Sequence, residues 1–408
     1  MFGRIKRKVF IVFACRTPIG NFGGMFKYDS AVDLGATALH GVMRRVDANN
    51  EYFLGSYDFM RCNVFMGNVL SAGLGQNPAR QAAHKAGFSW ESPCVTINKV
   101  CGSGMQAIIC AYDAIKSGRI DLAFAGGMES MTNSPYFIRR QLEVTGKGNS
   151  KLMVGDMAID FGKDAFCVDS MMRDGLSDAY GHRKMVEIAD ECAKRFGISR
   201  GDQDEYAKLS NERAIHAFQN RMFENEIVPV ENFFKDEGMN KFNPEKILTL
   251  NPICDGGSIT AASASKISDG AAALMIASEE IVERFGITPI AEIVDTLEYG
   301  GLPEEFPIAP SRAIGRLLEQ NKLILKNIGL FEINEAFAVV PLIAIKTSEI
   351  PIEKINIHGG AVALGHPIGA SGARIVVTLV HALSSKELGI ASVCIGGGEA
   401  LAMLVRKV

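Results

Sequence analysis

Two cysteines and a histidine are the residues in this chain whose types and positions best fit chemistry. Cys101 lies in the segment INKVCGSGMQA, where a predicted strand turns directly into a predicted helix, and Cys394 precedes a run of three glycines. His366 lies between them in the glycine-rich segment GHPIGASGA. Two thiols and an imidazole can take an acyl chain onto sulfur and then make or break a carbon–carbon bond. These residues therefore indicate an enzyme of acyl thioesters.

The position of Cys101 predicts an activated nucleophile. A thiol attacks as the thiolate, and we expect the helix N-terminus to lower the pKa of Cys101 through its partial positive charge and free N–H donors. Gly102 and Gly104 would let the backbone approach a thioester, and the N–H groups there could hold an oxyanion. The alternative interpretation of Cys101 is a small buried core residue.

Other candidate groups lie at predicted strand ends and loops. His366 lies in a glycine-rich loop, and His358, eight residues earlier, is the alternative candidate for a functional histidine. We expect the thiol of Cys394 to be exposed at the end of its strand, where the N–H of Gly396 is free to donate. Asn334 follows a short apolar strand, and an asparagine there can orient a water or else cap a helix.

A weak internal repeat predicts the elements that position these groups. Each copy has a strand, a helix and a second strand, at residues 95–98, 105–117 and 122–125 and at residues 355–357, 370–383 and 391–395. The second copy carries ten extra residues, which include His366. Such a repeat predicts two similar α/β domains packed face to face, with helices covering each sheet. We expect the two helices of the repeat at the interface between the halves, because this places Cys101 near the His366 loop.

Composition limits the class of protein. The 408 residues are 47% hydrophobic and 22% charged, with a net charge of −3, which is ordinary for a globular protein and gives no basis for nucleic-acid binding. The length predicts two or three domains. Nine cysteines in no zinc-binding spacing favour a reduced, cytoplasmic setting. The apolar run from Val9 to Cys15 predicts a buried first strand, and no stretch is long enough for a membrane span.

Seven segments of the chain closely resemble signatures of the thiolase family, in that family's order. They are GLGQNPARQAA, INKVCGSGMQA, GGMES, TAASASKISDGAAA, NEAFA, GGAVALGHPIGASGAR and CIGGG. They spread over most of the length, so the resemblance covers essentially the whole chain. It implies a thiolase-like α/β fold with duplicated domains, each a mixed sheet covered by helices, in five layers ordered α-β-α-β-α.

The resemblance also implies how the chain is divided. The N-terminal half would cover residues 1–130 and be continued by residues 267–287, and the C-terminal half would cover residues 288–408. Residues 131–266 would form an inserted loop domain that binds coenzyme A. Gln76 falls on a loop at the family's dimer interface, which implies a homodimer or homotetramer.

The resemblance implies a role for each catalytic candidate. Cys101 would be the nucleophile that takes the acyl group, and His366 would be the base that activates it. Cys394 would exchange a proton with the α-carbon of the second thioester. Asn334, through a water, and His366 would form one oxyanion hole. The N–H groups of Cys101 and Gly396 would form the other.

A second set of residues would bind the substrate. By resemblance, Ser265 lies beside the pantetheine arm of coenzyme A, and Ala336 and Phe337 line the acyl and pantetheine tunnel. Met185 belongs to the loop motif that shapes the acyl pocket. Coenzyme A is then a substrate and a product, with no tightly bound cofactor and no metal, because two thiols and an imidazole suffice for acyl transfer.

The chain departs from the family pattern at four places. Lys184 stands where a histidine helps to shape the acyl pocket, and Lys266 replaces a usual glycine next to the pantetheine serine. Glu399 and Ala400 replace a more flexible pair. The stretch 243–252 is shorter than usual, and an arginine that commonly stacks near the adenine has no counterpart. These departures leave the acyl chain length and the mode of coenzyme A binding open.

The sequence therefore predicts a thiolase that cleaves 3-ketoacyl-CoA with coenzyme A, or condenses two acetyl-CoA molecules, through an acyl-cysteine intermediate. Two alternatives remain. A ketoacyl synthase of the same general fold uses acyl carrier protein and lacks the second catalytic cysteine, so Cys394 argues against it. A catalytically silent scaffold of the same fold would not need the catalytic residues that are intact here.

Overall fold

The computed structural model describes residues 7–49, 62–138 and 167–408. Within these ranges the strands are β1 (Val9–Arg16), β2 (Gly20–Asn21), β3 (Asn63–Gly67), β4 (Cys94–Ile97), β5 (Leu122–Ser130), β6 (Tyr136–Ile138), β7 (Cys167–Asp169), β8 (Ser268–Ser278), β9 (Ala291–Gly300), β10 (Ile328–Ile333), β11 (Leu388–Ile395) and β12 (Glu399–Lys407). All but β6 and β7 belong to one ten-stranded mixed sheet.

The α-helices of the described residues are α1 (Ala31–Asn49), α2 (Pro78–Lys85), α3 (Ser103–Lys116), α4 (Met185–Arg195), α5 (Arg200–Gln219), α6 (Pro244–Ile247), α7 (Glu279–Phe285), α8 (Ala309–Gln320), α9 (Val339–Ser348), α10 (Ala361–Leu364) and α11 (Ile368–Ala382). Short 3₁₀ turns lie at Glu237–Lys241, Pro303–Glu305, Leu325–Asn327 and Ile352–Lys354, and a π-helical turn lies at Met171–Gly175. No helix in these ranges is long and apolar enough to cross a membrane.

The large sheet consists of two halves with the same pattern of pairing. In the first half, β5 pairs in parallel with β3 and antiparallel with β8, and β8 pairs antiparallel with β1. In the second half, β11 pairs in parallel with β10 and antiparallel with β12, and β12 pairs antiparallel with β9. A short pairing of β1 with β9 joins the halves. The internal repeat predicted from the sequence is thus visible as a repeated order of strand pairing.

The chain forms five layers of helices and half-sheets, and three apolar clusters lie between them. The first cluster packs α1 and α2 against one face of the first half-sheet, and the third packs α8 and α9 against the second half-sheet. The middle cluster encloses α3 and α11 between the two half-sheets. Along β8, Met275 lies in the outer cluster whereas Leu274 and Ile276 lie in the middle one, as expected for a strand buried on both faces. The predicted order α-β-α-β-α is confirmed.

The second helix of the repeat, α11, is buried on all sides. Every residue of α11 from Ile368 to Val380 is buried, so this helix needs no polar face. It packs closely on α3, because a Cβ at Gly104 would lie 2.8 Å from the backbone nitrogen of Ala373. This close approach holds the Cys101 end of α3 against the helix that follows His366.

Two details of the predicted repeat are wrong. The strand predicted at residues 355–357 is absent, because Asn356 has a left-handed φ of 47° and its side chain hydrogen-bonds both the N–H and the carbonyl of Ile333. Of this segment only Ile355 pairs with the sheet, through a single parallel bridge to Phe331 of β10. The first strand of the repeat, β4, lies at the edge of the sheet, so Val95 is 46% exposed rather than buried. The buried first strand predicted from Val9 to Cys15 is confirmed as β1.

Candidate active site

Cys101 occupies a tight turn between β4 and α3. Val100, just before it, has a left-handed φ of 47°, which is a strained conformation for a β-branched residue. The hydroxyl of Ser103 holds this turn by donating to the carbonyl of Val100 and accepting the N–H of Lys99. The N–H of Gly102 donates to the carbonyl of Lys99. The turn therefore fixes Cys101 at the N-terminal end of the central helix α3.

The thiol of Cys101 is a weak acid in this site. Burial raises its pKa to about 12, although the N–H groups of Gly396 and of Cys101 itself act in the opposite direction. The lowered pKa predicted from the helix N-terminus is therefore wrong, because the loss of hydration outweighs the effect of the helix and the N–H donors. Cys101 rests as a neutral thiol and needs a base before it can attack.

The thiol of Cys394 lies close enough to Cys101 for charge on one sulfur to disfavour charge on the other. Burial raises the pKa of Cys394 most, and Cys101 raises it further. Cys394 is only 1% exposed, so the exposed thiol predicted at its strand end is wrong. The reason is that Cys394 packs in an apolar cluster with Ala336, Phe337 and Met185. The N–H of Gly396 lies near the sulfur of Cys101 and acts to lower the pKa of that thiol.

The glycine turn between β11 and β12 directs the N–H of Gly396. Gly397 and Gly398 both have positive φ angles, of 97° and 89°, which close the hairpin. The ammonium of Lys99 binds Glu399, just after this turn, at 2.8 Å. This ion pair connects the turn that carries Cys101 to the turn that carries Gly396.

His366 lies between α10 and α11 in a buried loop. Its N–H donates to the carbonyl of Lys266 at 3.0 Å, and its ring Nδ1 lies 2.6 Å from Oγ of Ser371. Burial, together with the positive charge of Arg374, lowers the pKa of His366 to about 3. The imidazole is therefore neutral near pH 7, which is the state that a general base requires.

Asn334 follows β10 and faces the imidazole of His366. Its Nδ2 lies 3.5 Å from both ring nitrogens, at the outer limit of a hydrogen bond. Its N–H donates to the carbonyl of Ser392 on β11. Its Oδ1 is buried and has no hydrogen-bond partner among the described residues, so this oxygen can accept from a water or a substrate. Asn334 is not a helix cap, since α9 begins only at Val339.

The predicted substrate-binding residues also lie together. The N–H of Ser265 donates to the carbonyl of Ala336, and Phe337 forms a bridge with Ala264, the residue before this serine. Met185 packs in the same apolar cluster as Ala336, Phe337 and Cys394. Its methyl group would lie 3.5 Å from a Cβ placed on the oxyanion candidate Gly396. Ala336, Phe337 and Met185 therefore pack in the same cluster as Cys394.

The two lysines that depart from the family pattern have different environments. Lys184 is exposed at the start of α4, where its N–H donates to the carboxylate of Glu187. Lys266 is largely buried, and its ammonium donates to the carbonyls of Gly238 and Ala363. Burial lowers the pKa of Lys266 to about 8. In the shorter stretch 243–252, Asn243 caps α6.

Glu129 is a buried site residue that sequence reasoning missed. One carboxylate oxygen accepts the N–H groups of Val69 and Gly369, and the other accepts the N–H of Leu70 and the side-chain amide of Asn68. Burial raises its pKa to about 7, although three of these N–H donors favour the charged form. The carboxylate joins the N-terminal half to the first turn of α11. A glutamate inside a strand with nine buried residues was the available signal.

Comparisons with known proteins match the whole chain. Residues 9–280 match the family described as "Thiolase, N-terminal domain", and residues 287–407 match "Thiolase, C-terminal domain". A "Probable acetyl-CoA acyltransferase" of Staphylococcus aureus is 40% identical over 412 residues, which cover 98% of this chain and 99% of that protein.

Two solved structures are similar over nearly the full length. The structure of Acat5 thiolase from Ascaris suum, in complex with coenzyme A, has a TM-score of 0.88 and 42% identity, and the match covers 98% of this chain and 100% of that one. Human mitochondrial 3-ketoacyl-CoA thiolase has a TM-score of 0.88 and 32% identity, with coverage of 99% and 100%.

Proposed function

The chain belongs to the thiolase family and is an acyltransferase, and from this premise we propose how its residues divide the reaction. The enzyme transfers acyl groups between thioesters of coenzyme A, which is both substrate and product. It cleaves 3-ketoacyl-CoA with coenzyme A or condenses two acetyl-CoA molecules through an acyl-cysteine. The observation that carries the assignment of roles is the pair of neighbouring thiols, with the N–H of Gly396 beside Cys101.

In the cleavage direction, the neutral imidazole of His366 takes the proton of the Cys101 thiol. The thiolate attacks the 3-keto carbon of the substrate, the bond between C2 and C3 breaks, and the acyl group stays on Cys101. The departing acetyl-CoA enolate receives a proton at carbon from the thiol of Cys394. The thiol of coenzyme A then gives its proton to Cys394 and attacks the acyl-cysteine. Cys101 leaves as a thiolate and recovers its proton from His366.

Hydrogen-bond donors at the site stabilise the two oxyanions of this sequence. The N–H groups of Cys101 and Gly396 serve the tetrahedral intermediate on the nucleophile. Asn334, through a water held by its free Oδ1, and the protonated ring of His366 serve the enolate oxygen. The buried setting strengthens each of these interactions relative to water.

The binding of coenzyme A belongs to residues 131–266, the inserted loop domain, together with Ser265, Ala336 and Phe337 from its border. Support comes from the hydrogen bond between Ser265 and Ala336 and from the packing of Ala336 and Phe337 in the same cluster as Cys394. The described residues of 131–266 contribute no strand to the ten-stranded sheet. This fits a segment that is inserted into the fold and contacts the substrate.

The assembly is a homodimer or homotetramer in the cytoplasm, active in fatty acid metabolism. Support for self-association comes from the edge strand β4, whose Val95 is 46% exposed, and from the neighbouring Trp90, which is 65% exposed. Gln76, in the loop that precedes α2, is exposed as well. An unpaired edge with apolar side chains is a surface that a second chain can cover.

Longer 3-ketoacyl chains are accepted at rates comparable to acetoacetyl-CoA, because the loop histidine that helps to shape the acyl pocket in the family is replaced by Lys184. The side chain of Lys184 is exposed, and Met185 is the member of this motif that packs in the same cluster as Cys394. A methionine adapts its shape readily to different ligands.

The test is a thiolysis assay with purified protein, coenzyme A and 3-ketoacyl-CoA of increasing length, with no added metal. We expect cleavage of acetoacetyl-CoA and comparable rates for longer chains. Absence of cleavage at every length, with condensation on acyl carrier protein instead, would favour the ketoacyl synthase alternative. Activity that disappears on chelation and returns with a divalent ion would contradict a mechanism built only on side chains and N–H groups.

A further inference from the structure

The hydroxyl of Ser371 is the nearest polar group to the imidazole of His366. Ser371 lies in the first turn of α11 and is 1% exposed. Its Oγ lies 2.6 Å from Nδ1 of His366 and 2.9 Å from the carbonyl oxygen of Pro367, four residues earlier. The ring is therefore bound at one nitrogen by a side chain whose own position is set by the helix.

The Ser371 hydroxyl has a single proton, so it can donate to only one of its two neighbours, the carbonyl of Pro367 or Nδ1 of His366. A serine in a helix ordinarily donates to the carbonyl four residues earlier, which here is that of Pro367. The hydroxyl can then only accept from the second neighbour, so the proton of the neutral imidazole must lie on Nδ1 of His366. The other ring nitrogen, Nε2, keeps its lone pair.

We propose that Ser371 is a positioning residue that holds the proton of His366 on Nδ1 and so leaves Nε2 free to take the proton of the Cys101 thiol. This inference rests on the proposed role of His366 as the base. It deepens that role, because it assigns the resting tautomer and the group that maintains it.

The neutral character of Ser371 suits a base that must return its proton. Among the described residues no carboxylate bonds to the ring of His366. The positive charge of Arg374, which forms an ion pair with Glu332, opposes protonation of the ring. A hydroxyl acceptor fixes the ring without stabilising the imidazolium as strongly as a carboxylate would. The imidazolium therefore stays reactive enough to reprotonate Cys101 when the acyl group leaves.

Removing the hydroxyl should affect chemistry and not substrate binding. In Ser371→Ala the Nδ1–H of His366 loses its buried acceptor, which favours the tautomer with the proton on Nε2. A buried donor left without its partner costs about 1–3 kcal/mol, which corresponds to a 5- to 150-fold slower acylation of Cys101. The KM for the acyl thioester should stay within about twofold, since Ser371 acts on the imidazole of His366 and has no proposed contact with the substrate.

The experiment measures the tautomer directly by nitrogen NMR of protein labelled at histidine, near pH 7.5. The chain has seven histidines, so the His366 signals are assigned by their absence in His366→Ala. We expect a protonated Nδ1 and an unprotonated Nε2 in the wild type. Ser371→Ala should shift protonation toward Nε2 and slow acylation, and Ser371→Thr, which keeps a hydroxyl, should restore both.

Thr378→Val is the matched control, because Thr378 is a buried hydroxyl two turns further along α11 that bonds to Glu226. It should change neither tautomer nor acylation. A proton on Nε2 in the wild type would overturn the inference, as would a Ser371→Ala variant that loses activity with an unchanged tautomer. If Ser371→Ala does not fold, the wild-type and Ser371→Thr spectra still decide. A wild type with the expected tautomer but no acyl group on Cys101 would refute the proposed function alone.

Discussion

Replacing Glu129 with glutamine should destabilise the protein strongly while changing only one atom of the side chain. The carboxylate accepts two donors at each oxygen, at distances of 2.8–3.1 Å. In Glu129→Gln an NH₂ group replaces one oxygen, so two buried donors lose their acceptor in either orientation of the amide. At about 1–3 kcal/mol for each unsatisfied group, the free energy of unfolding should fall by about 2–6 kcal/mol.

The same change should slow turnover, because one of the two donor pairs includes the N–H of Gly369, in the first turn of the helix that follows His366. The assay is urea unfolding together with the rate of acetoacetyl-CoA cleavage. It should be done at pH 8, because burial raises the pKa of Glu129 from 4.5 to about 7. The stability that this raised pKa contributes is present below pH 4.5 and is lost as the pH rises through 7. At pH 8 the folded and unfolded carboxylates are both charged.

Glu319→Gln is the matched control, since Glu319 is exposed on α8. It should change the free energy of unfolding by less than about 0.5 kcal/mol. If Glu129→Gln were equally mild and fully active, the hydrogen bonds to Glu129 would not stabilise this part of the fold, or fix the start of α11, in the way described here.

Three further predictions concern the thiol, the buried lysine and the glycine turn. Because burial raises the pKa of Cys101 to about 12, its alkylation by iodoacetamide in His366→Ala should rise about tenfold per pH unit from pH 7 to 10, and a plateau below pH 9 would contradict a weakly acidic thiol. Burial lowers the pKa of Lys266 from 10.5 to about 8, so its contribution to stability is present above pH 10.5 and lost as the pH falls through 8. Urea unfolding should therefore show the wild type gaining stability relative to Lys266→Met between pH 8 and 10, and a constant difference would refute the shift. Gly398→Ala should lower Tm and turnover together, because φ at this residue is 89° and a Cβ there would collide with the carbonyl of Leu302; wild-type values would show that the turn can adapt.

The layers of the fold could be predicted because they follow from periodicity and burial. The two helices of the repeat were expected at the interface between the halves, and α11 lies between the two half-sheets with residues 368–380 buried. Strand identity at 355–357 could not be predicted in the same way. Three residues with apolar ends resemble a strand, but the left-handed φ of Asn356 depends on hydrogen bonds to Ile333, a residue 23 positions earlier.

The candidate site shows the same division between local and distant causes. The types and positions of Cys101, Cys394 and His366 in the chain could be read from the sequence. Their hydrogen-bond partners and neighbours in space came from the structure. The pKa values of these groups could not be predicted from the sequence, because a pKa depends on burial by segments from all over the chain. Burial reversed the expected direction for Cys101 and enclosed the thiol of Cys394.

Partners that act through other residues were the hardest to predict. Ser371 and Glu129 stand inside the quoted segments GHPIGASGAR and GGMES, but each acquires its role only from a contact made in the folded chain. A serine in the first turn of a helix is ordinary, and its distance to Nδ1 of His366 distinguishes it. Sequence reasoning therefore proposed the groups that would act on the substrate and missed those that hold them.

The most direct test of the central claim is to locate the acetyl group in variants of the two cysteines. Wild type, Cys101→Ala and Cys394→Ala are incubated with acetyl-CoA, and the peptides are analysed by mass spectrometry. The account predicts one acetyl group on Cys101 in the Cys394→Ala protein and none in Cys101→Ala. Cleavage and condensation should fall by about 10²–10⁴-fold in Cys394→Ala, because general acid–base catalysis is lost. An acetyl group on Cys394, or one that persists in Cys101→Ala, would contradict the assignment of the nucleophile.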